Sequence, residues 1–545
     1  MNFDMRKHEY WIVSIVVMLS AIFYVALGGH YLVGYQNSDV IIHLNRVLGL
    51  GGVWRHPVNF KIFAQIGDGM NYFYPWLTLY PAYVFVRLTH SLVVGMGIFI
   101  IWINVLTGLI AYYSSKSIFN NKLMALTFSV LYIFTTYRSL DLYRRFDIGE
   151  FIAMAFIPLV ISALYQIIVC DKQRWMMLAV AMALILYSHL LSLVLCGVAG
   201  ALEVIALYSL SKNKWGVVKQ FIKAIILWCF LGFGFLIPCI QQRRLVVAMP
   251  FKAWLPNTAL PVKQAIINGL SNSLGNNRDI FVSLGVLCTL ICIAGIFLWG
   301  KSRLEWRFLT IGIVLALMMT KLFPWKLFGH FPDFIQFPWR FGEVAVVYLL
   351  LFGVSYFLKR KHPCVIAGIL IIMSLCSFVV RTQRLNACAN SSITITSSRN
   401  LCNPPQISVP IVFLPVDYQP QKAVLNETGI IQHRFIDEKG DTQPEVKIAP
   451  SRVTIIPKRT ADELDTPFET YKGVFAEKSS GKALSSRVSY RGTLLIKHVK
   501  YGERIMITSC YTLVARIAQW ISAVTLIGCL WFWIKDRRRV YQSHD

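Results

Sequence analysis

Long apolar runs separated by short polar connections dominate this chain. An α-helix needs roughly 17–25 apolar residues to cross a bilayer. Runs that we predict to span lie at about residues 11–33, 93–113, 123–137, 151–169, 175–188, 190–209, 217–238, 281–299, 307–323, 342–358, 363–380 and 513–534. The pattern therefore predicts an all-α polytopic membrane protein with about 12 spans.

One further apolar stretch, residues 72–91, fits the pattern less well because two prolines, an arginine and a histidine interrupt or flank it. If it crossed the membrane, the basic loops at 114–122 and 170–174 would lie outside, against the positive-inside rule. We therefore expect 72–91 to be an interfacial helix or a shallow re-entrant segment. The remaining basic loops then all face inward, which predicts a plasma-membrane protein with both termini cytoplasmic.

The segment 381–511 differs from the rest because it is polar and has strand-like alternation at RVTIIPK (452–458) and TLLIKHV (493–499). We predict three parts in chain order. Residues 1–380 form a transmembrane domain whose first outside loop, 34–92, carries juxtamembrane helices. Residues 381–511 form an extracytoplasmic β-rich domain, and 512–545 form the last span and a basic cytoplasmic tail.

Composition narrows the partners: the net charge is +27, but 56% of the residues are hydrophobic and only 15% are charged. We find no nucleic-acid-binding motif and expect no nucleic-acid partner. Basic loops at a membrane surface favour anionic lipids and lipid-linked phosphates instead. Among the 12 cysteines, Cys388 and Cys402 are a candidate disulfide in the outside segment.

The first outside loop contains ionisable side chains at helical spacing. Asp39, His43 and Arg46 follow the first span at i, i+4 and i+7, within about 40° of one another on a helical wheel. Asp68 follows in the same loop, between two glycines. A solvated helix face with Asp39 as N-cap is the structural alternative, and a charged face turned into a cleft is the functional one.

Three more ionisable groups fall at the outer ends of predicted spans. Their candidate residues are Arg144, Arg145, Asp147 and Glu150 in YRRFDIGE, His189 in SHLLS, and Arg340 with Glu343 in FPWRFGE. Each group has a structural alternative: an interfacial anchor, a hydrogen-bonded core histidine, or an ion pair at the membrane edge. Ionisable groups near a bilayer core are costly and mark functional sites, so four groups at one predicted depth favour a site.

Several motifs in this order resemble the GT-C superfamily of membrane glycosyltransferases. They are D…H..R (39–46), GDGMNYFYPWLTLYP (67–81), YRRFDIGEFIAMAFIPL (143–159), SHLLS (188–192) and FPWRFGE (337–343). More narrowly, the chain resembles bacterial 6-pyruvoyl-tetrahydropterin synthase-related (PTPS-related) membrane proteins, close to the YfhO-like group. That family name does not imply pterin chemistry.

The resemblance implies transfer of a sugar from a polyprenyl-phosphate-linked donor to a cell-envelope glycan or lipid at the outer face. It makes Asp39 the catalytic base. The arginines would hold the donor phosphate, and the remaining candidates, His43, Arg46, Asp68, Asp147, Glu150, His189 and Glu343, would bind substrate. No D-x-D or E-x-D pattern occurs in YRRFDIGE, so we assign no metal ligand and no cofactor, and a divalent metal stays an open alternative.

Two other functions remain open on the sequence. A transporter or flippase of lipid-linked sugars needs polar residues at several depths, whereas most of these residues lie at the outer ends of spans. A non-catalytic envelope scaffold needs only the outside domain and predicts that Asp39 is replaceable. The sugar, the acceptor, the linkage and the oligomeric state are not specified by the sequence.

Overall fold

The computed structural model describes residues 2–28, 38–243, 252–276, 278–297, 303–387 and 417–542. Cys388 and Cys402 lie outside these residues. The first ten helices are α1 Asn2–Gly28, α2 Val40–Leu48, α3 Tyr80–Thr89, α4 Leu92–Phe119, α5 Lys122–Ile133, α6 Thr136–Ser139, α7 Ile148–Ala153, α8 Ile157–Ile168, α9 Trp175–Leu186 and α10 Leu190–Leu207. Seven more follow: α11 Lys214–Gln241, α12 Leu255–Thr258, α13 Val262–Ser271, α14 Gly285–Phe297, α15 Arg303–Met318, α16 Gly342–Leu358 and α17 Pro363–Ala387.

In the described ranges, nine helical segments are long and apolar enough to cross a membrane. They are Glu9–Gly28, Leu92–Phe119, Lys122–Arg145, Ile148–Ile168, Leu190–Leu210, Lys214–Gln241, Pro338–Leu358, Pro363–Ala387 and Leu513–Lys535. The chain is a multi-pass membrane protein. The predictions of an all-α membrane region and of a β-rich region before the last span are confirmed.

Among the described residues, the span count is lower than the sequence pattern predicts because three predicted spans fall on shorter helical segments. Helices α9, α14 and α15 contain 12, 13 and 16 residues. At about 1.5 Å per residue, each covers less than the roughly 30 Å of a hydrocarbon core. The stretch 72–91 contains α3, which has ten residues and is likewise too short to span.

Nine strands and three helices follow in the C-terminal part. They are α18 Gln421–Leu425, α19 Glu427–Ile431, β1 Phe435–Asp437, β2 Gly440–Thr442, β3 Glu445–Ala449, β4 Arg452–Ile456, β5 Ala461–Glu469, β6 Val474–Lys478, β7 Ser486–Val488, β8 Thr493–Val499, β9 Ile505–Ser509 and α20 Leu513–Gln542. The strands form two antiparallel sheets with the orders β2-β1-β5-β8-β7 and β3-β4-β9-β6. The alternating sequences predicted as strands are β4 and β8.

The chain divides into two compact units. The first unit comprises Met1–His43, Val84–Trp228 and Lys252–Ser408, and the second comprises Leu44–Tyr83, Cys229–Phe251 and Val409–Asp545. The sequence pattern does not predict that most of the first outside loop groups with the β-sheets. Backbone hydrogen bonds account for this grouping: Phe60 N–H donates to the Pro450 carbonyl (2.9 Å), and Glu469 N–H donates to the Ile66 carbonyl (2.7 Å).

Apolar side chains of this loop complete the core of the second unit. Val58 and Phe60 pack with Val453, Ile455 and Phe468, and all five are buried. Because β4 alternates, its Val453 and Ile455 point into the core while the residues between and beside them are less buried. The loop therefore supplies part of the apolar core against which the inward-facing strand residues pack.

The hydroxyl of Ser522 links helix α20 to helix α11. Ser522 Oγ on α20 donates to the Phe230 carbonyl of α11 (2.8 Å) and accepts from the Gly234 N–H (2.8 Å). These two backbone groups stand in the i and i+4 relation that a helix normally pairs directly. Pro238, one turn later, lacks an N–H, so the hydroxyl lies beside an already weakened part of the helix.

Candidate active site

An irregular turn in the first unit aims the central side chains of the site. Residues Leu140–Arg145 form a π-helical turn, a geometry that often marks functional sites. The turn ends at Phe146, whose φ of 60° is left-handed. This break lets the Asp147 N–H donate to the Asp141 carbonyl (2.9 Å). Asp147 then caps helix α7, where its Oδ1 accepts from the Glu150 N–H (3.2 Å).

Arg145 forms ion pairs with three buried carboxylates. Its guanidinium lies 2.5 Å from Asp141, 2.9 Å from Asp147 and 3.1 Å from Glu150. The face of the Trp339 ring lies 4.6 Å from the same guanidinium. The planar fork of an arginine can serve several carboxylate oxygens at once, so Arg145 is the centre of the cluster.

Arg340 brings a second positive charge to the same carboxylates. Its Nη1 lies 2.8 Å from Glu150 Oε2 and 3.5 Å from Asp147 Oδ2, and its Nη2 donates to Gln336 Oε1 (3.2 Å). Tyr137 donates to the other oxygen of Glu150 (2.7 Å). The Nε of Arg340 is buried and has no hydrogen-bond partner among the described residues.

A histidine and a third segment adjoin this cluster. His189 caps helix α10: its Nδ1 accepts from the Ser192 N–H (3.3 Å) and lies 2.8 Å from Ser192 Oγ. Ser192 Oγ in turn donates to Glu343 Oε2 (2.8 Å). The buried Glu343 Oε1 has no partner within the described ranges.

The base candidate predicted by the resemblance adjoins the cluster. The Asp39 N–H donates to the Arg145 carbonyl (2.7 Å), and the Asp39 carbonyl accepts from the His43 N–H (3.0 Å) at the start of α2. His43 Nε2 lies 4.0 Å from Asp147 Oδ1. Asp39 is partly exposed, whereas His43 is buried.

Residues from all four predicted ionisable groups therefore meet in the first unit. Their members are Asp39, His43, Arg145, Asp147, Glu150, His189, Arg340 and Glu343. Arg144 is fully buried in the same π-helical turn.

Arg46 and Asp68 belong to the second unit instead. Arg46 donates to the Pro75 carbonyl (2.8 Å) and stacks 3.7 Å above the Tyr74 ring. Asp68 Oδ1 accepts from the Met70 N–H (2.9 Å).

Neighbouring charges fix the ionisation of the groups at the centre. Burial alone would raise the pKa of Asp147, but His189 in its protonated form and the guanidinium groups of Arg145 and Arg340 hold it well below its ordinary value. Burial lowers the pKa of His189 despite the nearby Asp147 and Glu150. At neutral pH, Asp147 is thus a carboxylate, and the imidazole of His189 is largely neutral.

Asp147, Glu150 and His189 could hold a metal by distance, since one ligand atom from each lies within 4.8 Å of the others. However, both carboxylates already face Arg145 and Arg340, and Nδ1 of His189 already accepts a backbone N–H. A divalent cation would have to lie beside two guanidinium groups, which is electrostatically unfavourable. The residues therefore fit an arginine-balanced cluster better than a metal centre.

Three contributors to the cluster are additional to the sequence-predicted site residues. Asp141 contacts Arg145, Tyr137 contacts Glu150, and Ser192 contacts both His189 and Glu343. The i, i+4 spacing of Asp141 and Arg145 was a usable signal because it places both on one helix face. Tyr137 and Ser192 offered no such signal, since uncharged hydroxyl groups are common at the ends of membrane helices.

No protein-family model and no curated protein matches the sequence. Among solved structures, the chain is similar to the arabinofuranosyltransferase AftD from Mycobacteria, with a TM-score of 0.41 and 12% identity over 69% of this chain and 27% of that one. It is also similar to ArnT from Cupriavidus metallidurans bound to undecaprenyl phosphate, with a TM-score of 0.38 and 14% identity over 67% of this chain and 62% of that one.

The chain thus spans less than two thirds of either solved relative. Because both TM-scores lie below 0.5, neither similarity assigns an activity or a residue role to this chain. The narrower PTPS-related and YfhO-like resemblance stays a prediction.

Proposed function

We propose that this chain is a membrane glycosyltransferase. It moves a sugar from a polyprenyl-phosphate-linked donor to a cell-envelope glycan or lipid acceptor at the outer face of the membrane. The observation that carries the proposal is the buried cluster of Asp141, Asp147 and Glu150 around Arg145 and Arg340.

A cluster of this kind is expensive as a purely structural device. Removing an ion from water costs several kcal/mol even after relaxation, and apolar side chains of similar size often stabilise a protein as well or better. Three chain segments nevertheless supply ionisable groups here, and a fourth supplies Asp39 at the edge. Such convergence is typical of a site in which charge is used.

The arginines suit a phosphate leaving group. A guanidinium stays charged at every physiological pH and donates in a planar fork. Arg340 has a buried Nε donor with no partner among the described residues, so it can bind a phosphate oxygen without giving up its bond to Glu150. Arg145 and Arg144 lie in the adjoining turn and add positive charge.

Asp39 suits the role of base because it is partly exposed and adjoins the charged cluster. In the proposed step, the acceptor hydroxyl gives its proton to the Asp39 carboxylate while its oxygen bonds to the anomeric carbon of the sugar. The bond from that carbon to the phosphate oxygen breaks, and the polyprenyl phosphate leaves with the electron pair. A positioned base contributes roughly 10²–10⁴-fold to such a step.

The remaining polar groups position the reactants. Asp147 and Glu150 orient the two arginines through the ion pairs described above. The imidazole of His189 and the buried Glu343 adjoin the cluster and can help to position the reactants. His43, 4.0 Å from Asp147, helps to keep the first turn of α2 against the cluster.

The test compares cell-envelope glycans by mass spectrometry in cells that lack the protein and in cells that carry wild type or Asp39→Asn at matched expression. Asparagine keeps the size of the side chain but cannot accept the proton. Asp171→Asn is the matched control, because Asp171 is exposed and its φ of 52° suits asparagine.

Loss of a sugar with Asp39→Asn, but not with Asp171→Asn, is the expected result. If deletion of the protein alters the glycans and Asp39→Asn does not, the transferase role of Asp39 is wrong. The transporter and scaffold alternatives would then be favoured.

A further inference from the structure

We infer that the β-sheet region of the second unit carries a binding site for a neutral carbohydrate. The site is a pocket beside helix α19, lined by Asn426, Glu427, Thr428, Arg434, Tyr490 and Arg491 among others. It shares no residue with the charged cluster of the first unit. The inference stands whether or not the chain is a transferase.

The pocket has the size of a small-ligand site. Its volume is about 300 Å³, at the lower end of the roughly 300–1,000 Å³ typical of such sites. That space suits one or two sugar units of a longer chain rather than an extended polymer segment. The pocket is open to the surface, because Leu425 and Tyr490 at its rim are 79% and 66% exposed.

Arg491 provides a rigid polar floor. Its guanidinium makes four hydrogen bonds: Nε to Asp465 Oδ2 (2.8 Å), Nη1 to the Arg434 carbonyl (3.1 Å), and Nη2 to the carbonyls of Asp465 (3.3 Å) and Thr466 (3.2 Å). A guanidinium has five N–H donors, so one N–H of Nη1 remains for a ligand among the described contacts. Arg491 is 97% buried, since its exposed fraction is 3%, and it needs no reorganisation to donate.

The nitrogen that carries this donor lies beside the pocket. Arg491 Nη1 lies 3.8 Å from where a Cβ would stand on Gly429, another lining residue. Asn426 donates through Nδ2 to the Lys422 carbonyl (2.8 Å), which leaves its Oδ1 as an acceptor. Together with the Thr428 hydroxyl, the pocket presents donors and acceptors at short range, as vicinal sugar hydroxyls require.

The charges favour a neutral ligand over an anion. Arg491 is paired with Asp465, and Arg434 Nε donates to Asp441 Oδ2 (2.9 Å). Glu427 adds a negatively charged carboxylate to the pocket lining. A phosphate or uronate would have to compete with these carboxylates, whereas hydroxyl groups would not.

Tyr490 supplies the apolar contact that sugar rings need. It lies in the turn between β7 and β8, and its ring is mostly exposed beside polar groups. An aromatic ring offers a large rigid surface at low entropic cost, and the C–H face of a pyranose can stack on it. An exposed aromatic ring above polar hydrogen-bonding groups therefore indicates a carbohydrate ligand.

The experiment uses the full-length protein in lipid nanodiscs on a printed array of neutral oligosaccharides and their phosphorylated and uronic-acid counterparts. Two variants address the pocket. Tyr490→Ala removes the stacking ring, and Gly429→Leu fills the space in front of Arg491. Tyr501→Ala is the matched control, because Tyr501 is 72% exposed in another turn of the same region.

Wild type should retain neutral glycans, and each pocket variant should lower the apparent affinity by about tenfold or more, whereas Tyr501→Ala should change it by less than about twofold. Thermal melting checks that both pocket variants are folded. Wild type that retains no neutral glycan, binding confined to anionic glycans, or unchanged binding by folded Tyr490→Ala and Gly429→Leu would each overturn the inference.

Discussion

Buried carboxyl groups occur in both units, and their surroundings differ. In the first unit, Asp147 faces Arg145 and Arg340, and its pKa lies well below the ordinary value although burial opposes this. In the second unit, Glu469 accepts a hydrogen bond from the neutral Tyr471 hydroxyl (2.7 Å), and burial raises its pKa well above the ordinary value.

Asp68 of the second unit lies between these extremes. Burial raises its pKa to about 6, and the Met70 N–H and the charge of Arg46 offset only part of that rise. The comparison shows that burial alone does not make a charged site. Asp147 stays ionised beside two guanidinium groups, whereas Glu469 beside a neutral hydroxyl tends to take up a proton.

The largest expected effect comes from removing the central guanidinium. Arg145→Leu removes the ion pair of Asp141 and leaves Asp147 and Glu150 with Arg340. We expect it to lower the free energy of unfolding by about 3–5 kcal/mol. Thermal melting in nanodiscs measures this, with the exposed Arg278→Leu as control. Equal melting temperatures for the two variants would contradict an ionised cluster.

Asp147→Asn should act in the same direction with a smaller effect, about 2–3 kcal/mol. The amide can still cap α7, but it no longer balances Arg145 and Arg340. Because the pKa of Asp147 is lowered in the folded state, its contribution is complete above its unfolded pKa and is lost as pH falls through the folded pKa. The difference in the free energy of unfolding between Asp147→Asn and wild type should therefore become smaller at acidic pH. Unfolding experiments at a series of pH values measure this difference.

Asp68→Asn should have the opposite sign. The folded pKa of about 6 exceeds the model-compound value of 3.8, so wild type loses stability as pH rises between these values and gains none back above them. A rise of about two pKa units destabilises the folded wild type by about 3 kcal/mol at neutral pH. Asp68→Asn removes this cost, but the buried amide N–H groups that it introduces offset a part of the gain. We expect stabilisation of about 2 kcal/mol at neutral pH and none near pH 4. Destabilisation at both pH values would show that Asp68 is ionised and paired.

Glu469→Gln should change stability by less than about 1 kcal/mol at neutral pH, since it replaces one neutral group by another. It is the counterpart of Asp147→Asn, because both exchange a buried carboxyl for an amide. The same melting assay serves for both variants. A loss as large as that of Asp147→Asn would mean that Glu469 carries a charge.

The smallest effect is expected from metal removal. If arginines rather than a cation balance the carboxylates of the first unit, a chelator should leave the melting temperature unchanged. A fall that added divalent metal reverses would instead assign Asp147, Glu150 and His189 as ligands.

Hydropathy and spacing predict much of the first unit. Apolar length placed its helices, and the cost of charge near a membrane singled out Arg145, Asp147, Glu150 and Arg340. The helical wheel placed Asp39, His43 and Arg46 on one face, but it predicted the surroundings of only some of them. His43 lies near the cluster, whereas Arg46 bonds the Pro75 carbonyl and stacks on Tyr74 in the other unit. Spacing on a helix gives a shared face, but it does not give the partner of each residue.

The sequence did not predict which chain segments combine to form the second unit. Alternation identified β4 and β8, but the attachment of residues 44–83 to the sheets rests on backbone bonds such as that from Phe60 to Pro450. Backbone donors and acceptors are the same in nearly every residue, so they leave no trace in the sequence. The sequence likewise did not predict the pocket at Tyr490 and Arg491, because the turn that carries them lies more than 50 residues after helix α19 and meets it only in the folded chain.

The bridge made by Ser522 has a consequence for biosynthesis. This hydroxyl is 288 residues further along the chain than Gly234, whose N–H it accepts. At about 5–20 residues per second, a ribosome needs roughly 15–60 s to add that length. The helix containing Phe230 and Gly234 is therefore made well before the hydroxyl that bridges its turn exists. The contacts between this helix and α20 can form only near the end of translation. A chain terminated before Ser522 would lack the hydroxyl that bonds Phe230 and Gly234.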